Sequence, residues 1–339
     1  DIAPDVFIPV RTVKELRRSA LKELEKAAAE AFMRRAQESP EKTEHDRELI
    51  PNRAGETGDE ETKPLRIYAS VRTAQQAEAL LSAQKRSELY GVCLPPELAH
   101  YRVKLQENGI CAVLALPFVF RRERAEKAAE TEEMLSVENW DGILVRNLEE
   151  AGLIAGLRRR QMRVSGEIIL DALLYTMNTE ACAVFEDWGF PVRTLPYELN
   201  FRQLRNQNTA GSQLVVYGRT PMMISAQCIR KTEGCCTQKS GWTGISDRTG
   251  RRFPVFCSCS DCCNVIYNSL PTNLMRESEA IRHLHCGSVR MDFTDETPEE
   301  TGRIASAVLS VFGPENGTDT DRMLPDLSAT KGHFRRGVE

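Results

Sequence analysis

The sequence predicts an α/β fold: a (β/α) barrel-like domain with a cysteine-rich hairpin insertion, preceded by a helix and a linker. Three observations carry this expectation. Short β-branched or apolar runs alternate with helix-period patterns along the chain. Strand starts recur roughly every 20–30 residues, the spacing of βα units in a parallel sheet. No glycine-rich dinucleotide fingerprint follows the first strand, which favours a barrel over a doubly wound sheet.

The strands are expected at 65–70, 89–94, 110–116, 142–146, 166–170, 192–195 and 213–217. Helices are expected between them at 73–87, 95–108, 147–158, 178–188 and 200–207. Thr73 with Gln76 three residues on, and Asn178, read as helix starts, because their side chains accept from the orphan backbone N–H groups of a first turn. Residues 289–293 followed by a helix over 298–311 supply an eighth unit. Ahead of the barrel, residues 12–37 read as one helix that Thr12 and Glu15 open as a capping box. The expected organisation is a helical segment at 1–37, a linker at 38–63, the barrel at 64–312 with the cysteine-rich insertion at 228–271, and a tail at 313–339. Linker and tail carry few large apolar residues, so neither is expected to hold structure.

The bulk composition narrows the function classes. The chain has 339 residues, 41% of them hydrophobic and 28% charged, with a net charge of −4. Its pI of about 5.9 argues against binding nucleic acid by overall charge. The longest apolar run, Cys111 to Phe120, is about half a membrane span and contains Pro117, so no membrane association is expected. The start lacks the basic and apolar regions of a secretory signal and is not Met, so the chain reads as the back portion of a longer cytoplasmic protein.

Seven of the eleven cysteines fall between Cys228 and Cys263. In a reducing compartment such a cluster points to metal rather than disulfides. Cys259-Ser-Asp-Cys262 has the spacing that turns two thiolates onto one metal. Cys228 with Cys235 or Cys236 supplies an upstream pair. Between the pairs, Asp247-Arg-Thr-Gly250 reads as a hairpin turn with Gly250 at positive φ. Four thiolates suit zinc or a cubane iron–sulfur cluster, and the long upstream spacing leans toward the cluster.

Three stretches carry a family resemblance: Tyr217-Gly-Arg-Thr-Pro-Met-Met-Ile-Ser-Ala-Gln-Cys228, Lys231-Thr-Glu-Gly-Cys-Cys236, and Cys259-Ser-Asp-Cys-Cys-Asn-Val-Ile-Tyr-Asn-Ser-Leu-Pro271. Together they resemble the collagenase-like peptidase family, in its long members with a collagenase-associated inserted domain. The opening Asp5-Val-Phe-Ile-Pro-Val and the closing Val289-Arg-Met-Asp-Phe-Thr294 extend the resemblance over most of residues 5–311. It implies that the family's first barrel half is missing from this chain and is a partner of the portion present. It also implies either peptidase activity, with the cysteines as a structural staple, or a [4Fe–4S] cluster supporting hydroxylation of an RNA base or a similar substrate. In the second case the implied ligands are Cys228, Cys236, Cys259 and Cys262. Branches with other spacings select Cys235 and Cys263 instead.

Other candidates rest on single features. Arg219 and Arg290 fall near strand ends on the expected active face, where a guanidinium can hold a carboxylate or phosphate bidentately. His283-Leu-His285-Cys286 is the one local histidine cluster and reads first as helix-end polar residues. The basic runs 121–124, 158–160 and 248–252 are candidate RNA contacts, the last best placed because it lies on the cysteine hairpin. Trp242 in the same hairpin reads as a cover for the cluster or a stacking platform for a base. Neither H-E-x-x-H nor G-x-S-x-G occurs.

Overall fold

Strand residues buried on both faces read as near-continuous apolar runs, and that is how the sheet of this protein is written into its sequence. The computed structural model describes residues 9–32, 64–120, 125–137, 139–314 and 328–337. The expected linker at 38–63 and the basic run 121–124 lie outside these residues. The chain divides into two units, Asp1–Gly55 and Glu56–Glu339.

The first unit shows one helix, α1 (Val10–Phe32), with an Arg11–Glu15 ion pair one turn apart on its surface. It begins two residues earlier than Thr12, the expected cap.

The second unit is the barrel. Its elements are β1 (Arg66–Ser70), α2 (Ala74–Leu81), β2 (Leu89–Leu94), α3 (Tyr101–Glu107), β3 (Cys111–Ala115), α4 (Ala125–Val137), β4 (Gly142–Val145), α5 (Leu148–Arg159), β5 (Glu167–Leu170), α6 (Thr179–Asp187), β6 (Val192–Arg193), α7 (Phe201–Arg205) and β7 (Gln213–Gly218). A small antiparallel sheet follows, built from β8 (Pro221–Ser225), β9 (Gly241–Ser246), β10 (Arg252–Ser258) and β11 (Cys263–Tyr267), with a short helix α8 (Ile229–Thr232) between its first two strands. The chain returns to the barrel through β12 (Thr272–Asn273), α9 (Ser278–Arg282), β13 (Ser288–Asp292) and α10 (Pro298–Phe312).

β1 to β6 pair in sequence order, all parallel, and β13 inserts between β1 and β7. The circle closes through one parallel bridge, Thr194 to Gln213, backed by the Leu195 N–H donating to the Gln213 carbonyl at 2.8 Å. β6 is short, so this is the thinnest seam of the barrel. The far end of the same β7 edge is taken by β12, which pairs antiparallel with Tyr217 and Gly218.

Alternation along the strands sorts the side chains into two cores. Tyr68, Cys93, Val113, Leu144 and Ile169 point inward and fill the barrel. Their neighbours Ile67, Val92, Leu114, Ile143 and Leu170 point outward and join the core under the helices. Thr73 and Thr297 open their helices with complete capping boxes, and Asn147 and Asn178 cap theirs by accepting from Glu150 and Ala181. Gly218 ends β7 at φ 139°, where a Cβ would collide with the Asp292 carbonyl. That close approach lets the chain leave the barrel for the small sheet. No described helix is long and apolar enough to cross a membrane.

The stretch expected as a featureless tail is different in its last part. Residues 328–337 form a strap back onto the barrel. Thr330 bridges Thr272, the Phe201 N–H donates to the Phe334 carbonyl at 2.7 Å, and the Phe334 ring packs on Phe201 at 5.7 Å. Lys331 (2.7 Å) and Arg335 both pair with Glu277, whose side chain is 2% exposed. Composition missed this anchor, because it rests on one buried aromatic and two long-range ion pairs in an otherwise polar segment.

Burial raises the Glu277 carboxyl, but Lys331 and Arg335 outweigh it and hold it below its ordinary value. A carboxyl so lowered stabilises the fold fully above its unfolded value of about 4.3, and that contribution is lost as pH falls through the lower folded value. Glu277→Gln is expected to free the strap, with a loss of roughly 1–3 kcal/mol. Amide exchange at residues 328–337 reads this directly: protection falls there while the barrel strands keep theirs.

Candidate active site at the barrel mouth

Inward positions at the C-terminal strand ends meet at the mouth, and four of them carry charge. Arg146 follows β4, Asp171 follows β5, and Arg290 and Asp292 lie on β13. Arg290 is 1% exposed and its donors are all engaged. Its Nε donates to Asp292 at 2.6 Å, its Nη2 to Asp171 at 2.8 Å and Asp292 at 3.0 Å, and its Nη1 to the Gln213 side chain at 2.7 Å. Arg146 donates to Asp171 at 3.0 Å and to the Leu116 carbonyl at 3.0 Å. Two buried arginines and two aspartates thus cancel each other's charge, as buried ions must.

Burial alone would raise the Asp171 carboxyl, but Arg290 and then Arg146 hold it below the usual carboxylate range. Behind Arg146 sits Glu150, fully buried. One of its oxygens accepts the Arg146 backbone N–H at 2.7 Å, and the other has no partner among the described residues. Burial pushes this carboxyl up to about 8 against the pull of that N–H, so it holds its proton at neutral pH.

Above the network the mouth narrows to a cavity of about 20 Å³, room for about one water. Tyr197 stands at its side and donates to Asp292 at 3.3 Å. Burial, then Asp292 and Asp171, push the Tyr197 phenol well above its ordinary value, which keeps it a donor. Arg72 and Arg146 stack on the ring of Phe118 at 4.8 and 4.4 Å. Arg72 also donates to the Tyr267 hydroxyl at 3.1 Å and lies over Phe256 at 5.6 Å. Tyr267 and Phe256 belong to the small sheet, so Arg72 ties that sheet over the mouth. Trp242 packs on the same two rings at 5.1 and 5.7 Å, completing an aromatic layer.

The cysteines occupy the small sheet and the loop before it. Asp247–Gly250 forms the expected turn, with Gly250 at φ 81° and the Asp247 side chain accepting from Thr249 and Arg251. Cys235, Cys236 and Cys262 are exposed, Cys228 and Cys259 half-buried, and Cys257 and Cys263 buried. Burial, then Cys236 and Cys228, and also Cys262, push the Cys259 thiol up against the pull of Arg230. Cys259 thus feels the other three implied ligands electrostatically. Burial, and then Cys228, Cys259 and Cys235, push the Cys257 thiol up against the pull of Arg230. Among the described residues, no three His, Cys, Asp or Glu side chains are drawn tightly enough together to hold a metal ion. The donor chemistry fits a cluster, on a loop whose thiols stand apart.

Arg219 pairs with Asp295 at 2.8 Å and donates to the carbonyls of Asn268 and Ser269, so it braces the junction to the small sheet. Arg290, expected as a substrate hand, is the hub of the network and has no free donor. His283 and His285 lie exposed before the N-terminal start of β13, at the opposite end from the mouth, and Cys286 is buried against Ser212. Arg158 stacks on Phe190 and Arg160 pairs with Glu132, whereas residues 248–252 are largely exposed on the hairpin. Sequence reasoning missed Arg72, Phe118, Arg146, Asp171, Tyr197 and Asp292. The signal for Arg146 and Asp171 was a charged residue directly after an apolar strand.

No family model matches this chain, and no curated protein does. Among solved structures it is similar to a putative fructose-1,6-biphosphate aldolase from Coccidioides immitis, at 12% identity and a TM-score of 0.40, over 73% of this chain and 89% of that one.

Asp171→Asn would weaken both arginines' pairing inside the barrel. It is expected to lower stability by roughly 3–5 kcal/mol, read by urea unfolding at neutral pH. The wild type should lose this advantage as pH falls from the unfolded value of about 3.9 through the lower folded one. Glu150 runs the other way. Its contribution is full below about 4.3 and is lost as pH rises through about 8. Glu150→Gln should therefore remove the fall in stability between about 4.3 and about 8, and be more stable than the wild type above about 8.

Proposed function

We propose that this chain is an iron–sulfur protein of the collagenase-like peptidase type. It holds a [4Fe–4S] cluster on Cys228, Cys236, Cys259 and Cys262 and supports hydroxylation of an RNA base or a similar substrate. One observation supports the reading: β11 pairs with β8, Asn264 opposite Ser225, and β10 pairs with β9, Cys257 opposite Gly241, so the chain running into Cys228 lies beside the run Cys257–Cys263 although some thirty residues separate them in sequence. A cluster bound there supplies one-electron chemistry, tuned by nearby charge and solvent access. Arg230, fixed by the carbonyls of Lys239 and Trp242 at 2.9 Å each, opposes the rise of the Cys257 and Cys259 thiols and so favours the thiolates a metal needs. Trp242, Phe256 and Tyr267 pack ring on ring in the small sheet. Arg72 holds these rings to the mouth. The cytoplasmic setting, RNA as substrate and the missing barrel half as partner belong to the same reading. Zinc on the same thiols, with the cysteines as a staple for a peptidase, is the competing outcome.

Anaerobic purification with metal analysis and a visible spectrum tests it. A brown protein with about four irons is expected, and Cys228→Ser or Cys259→Ser should lose colour and iron together. A colourless protein with one tightly held zinc per chain rejects the cluster. RNA or peptide turnover is then assayed on the metal-loaded protein.

A further inference from the structure

The thin seam of the barrel leaves a second cavity. β6 reaches β7 only at Gln213, and β12 takes the other end of that strand. Beside this edge lies a cavity of about 160 Å³, lined by Leu195, Leu199, Leu204, Met222 and Tyr197 and roofed by Phe334 of the strap. An apolar cavity of about 150 Å³ is large enough for benzene. The lining is not wholly apolar. Asn268 stands at the wall, its Oδ1 accepting from the Ser269 hydroxyl at 3.5 Å and its amide N–H groups the donors it can offer. The Lys331 ammonium of the strap is engaged by Glu277 at 2.7 Å, so it is not a free counter-charge for an acid.

We propose that this cavity is a binding site for a neutral single-ring molecule bearing one oxygen, of the size and kind of phenol. The ring lies against the leucines under Phe334, and the oxygen accepts from Asn268. Tyr197 lines both this cavity and the mouth, so an occupant would sit against the back of a residue that hydrogen-bonds Asp292. The site is independent of any metal and of the reading above.

Phenol itself is the probe, titrated by calorimetry and by ligand-observed NMR into protein with and without bound metal. Saturable binding is expected in both forms. Leu204→Phe fills the cavity from inside and should weaken phenol by at least about tenfold. Met222→Trp narrows it from a side chain that is 60% exposed, a change the fold tolerates, and should weaken phenol likewise. Asn268→Leu should weaken phenol but spare benzene. No saturable binding up to the solubility limit, or equal binding by the folded Met222→Trp variant, overturns the proposal. Iron content does not enter either result, so failure here is separate from failure of the cluster.

Discussion

The Arg290 guanidinium is the constraint around which the barrel is arranged. An arginine 1% exposed inside a barrel is tolerable only if every donor is met and the charge is cancelled. Asp171 arrives from β5, Asp292 from its own strand, Gln213 from β7, and Arg146 from β4 binds the far side of Asp171. These partners fix the relative heights of four strands at the mouth. Gln213 is also the residue through which the barrel closes on Thr194, so the ion network and the seam share one residue. Slipping any of these strands by one residue would turn its partner outward and strand a charge in the core.

Charge balance also sets what the mouth can do. With Arg146 and Arg290 neutralised from within, the floor is rigid and unavailable. Tyr197 and Arg72 are among the polar groups left at the rim, with Ser70, Arg219, Tyr267 and Thr294. Arg72 meets no carboxylate among the described residues and spends its contacts on Phe118, Phe256 and the Tyr267 hydroxyl. It therefore links barrel chemistry to the aromatic face of the cysteine sheet, while Arg219 braces the junction through Asp295 and the carbonyls of Asn268 and Ser269. The side of the sheet that Arg72 holds is aromatic. Cys257, on the same strand as Phe256 but one residue on, points to the other side. One strand thus presents a ring to the mouth and a thiol to the cysteine loop.

Much of this was legible in the sequence, for an identifiable reason. Residues 89–94 form a strand over the expected range, and the other seven barrel strands fall within their expected runs to about a residue or two, because a strand buried on both faces must be apolar along its length. The Asp247–Gly250 turn was equally plain, since its chemistry is local. β8 was not seen, as Met222, Met223 and Ile224 sit in an exposed edge strand with no polar alternation to mark it. The strap was not seen because its contacts are long-range: Lys331 and Arg335 reach back to Glu277, and Phe334 to Phe201. Arg290 was noticed, but not its partners: a strand-end arginine looks the same in sequence whether it faces a substrate or two aspartates. Only the partners decide, and one of the two aspartates, Asp171, lies 119 positions away.

Tyr197 shows how the parts bear on one another. It follows the short β6, so the same scarcity of strand that thins the seam leaves its ring free to stand between two cavities. Its hydroxyl is spent on Asp292, and Asp292 in turn holds Arg290. Any displacement of the ring from the side of the strap must lengthen that bond or move the carboxylate with it. Because interiors pack at crystal-like density, such a shift is not absorbed locally. The carboxylate is shared with a fully engaged arginine, so the cheaper movement is that of the phenol. The weakest seam of the barrel, its strap and its charged mouth are thereby mechanically joined through one side chain, whose position is set by a strand only two residues long.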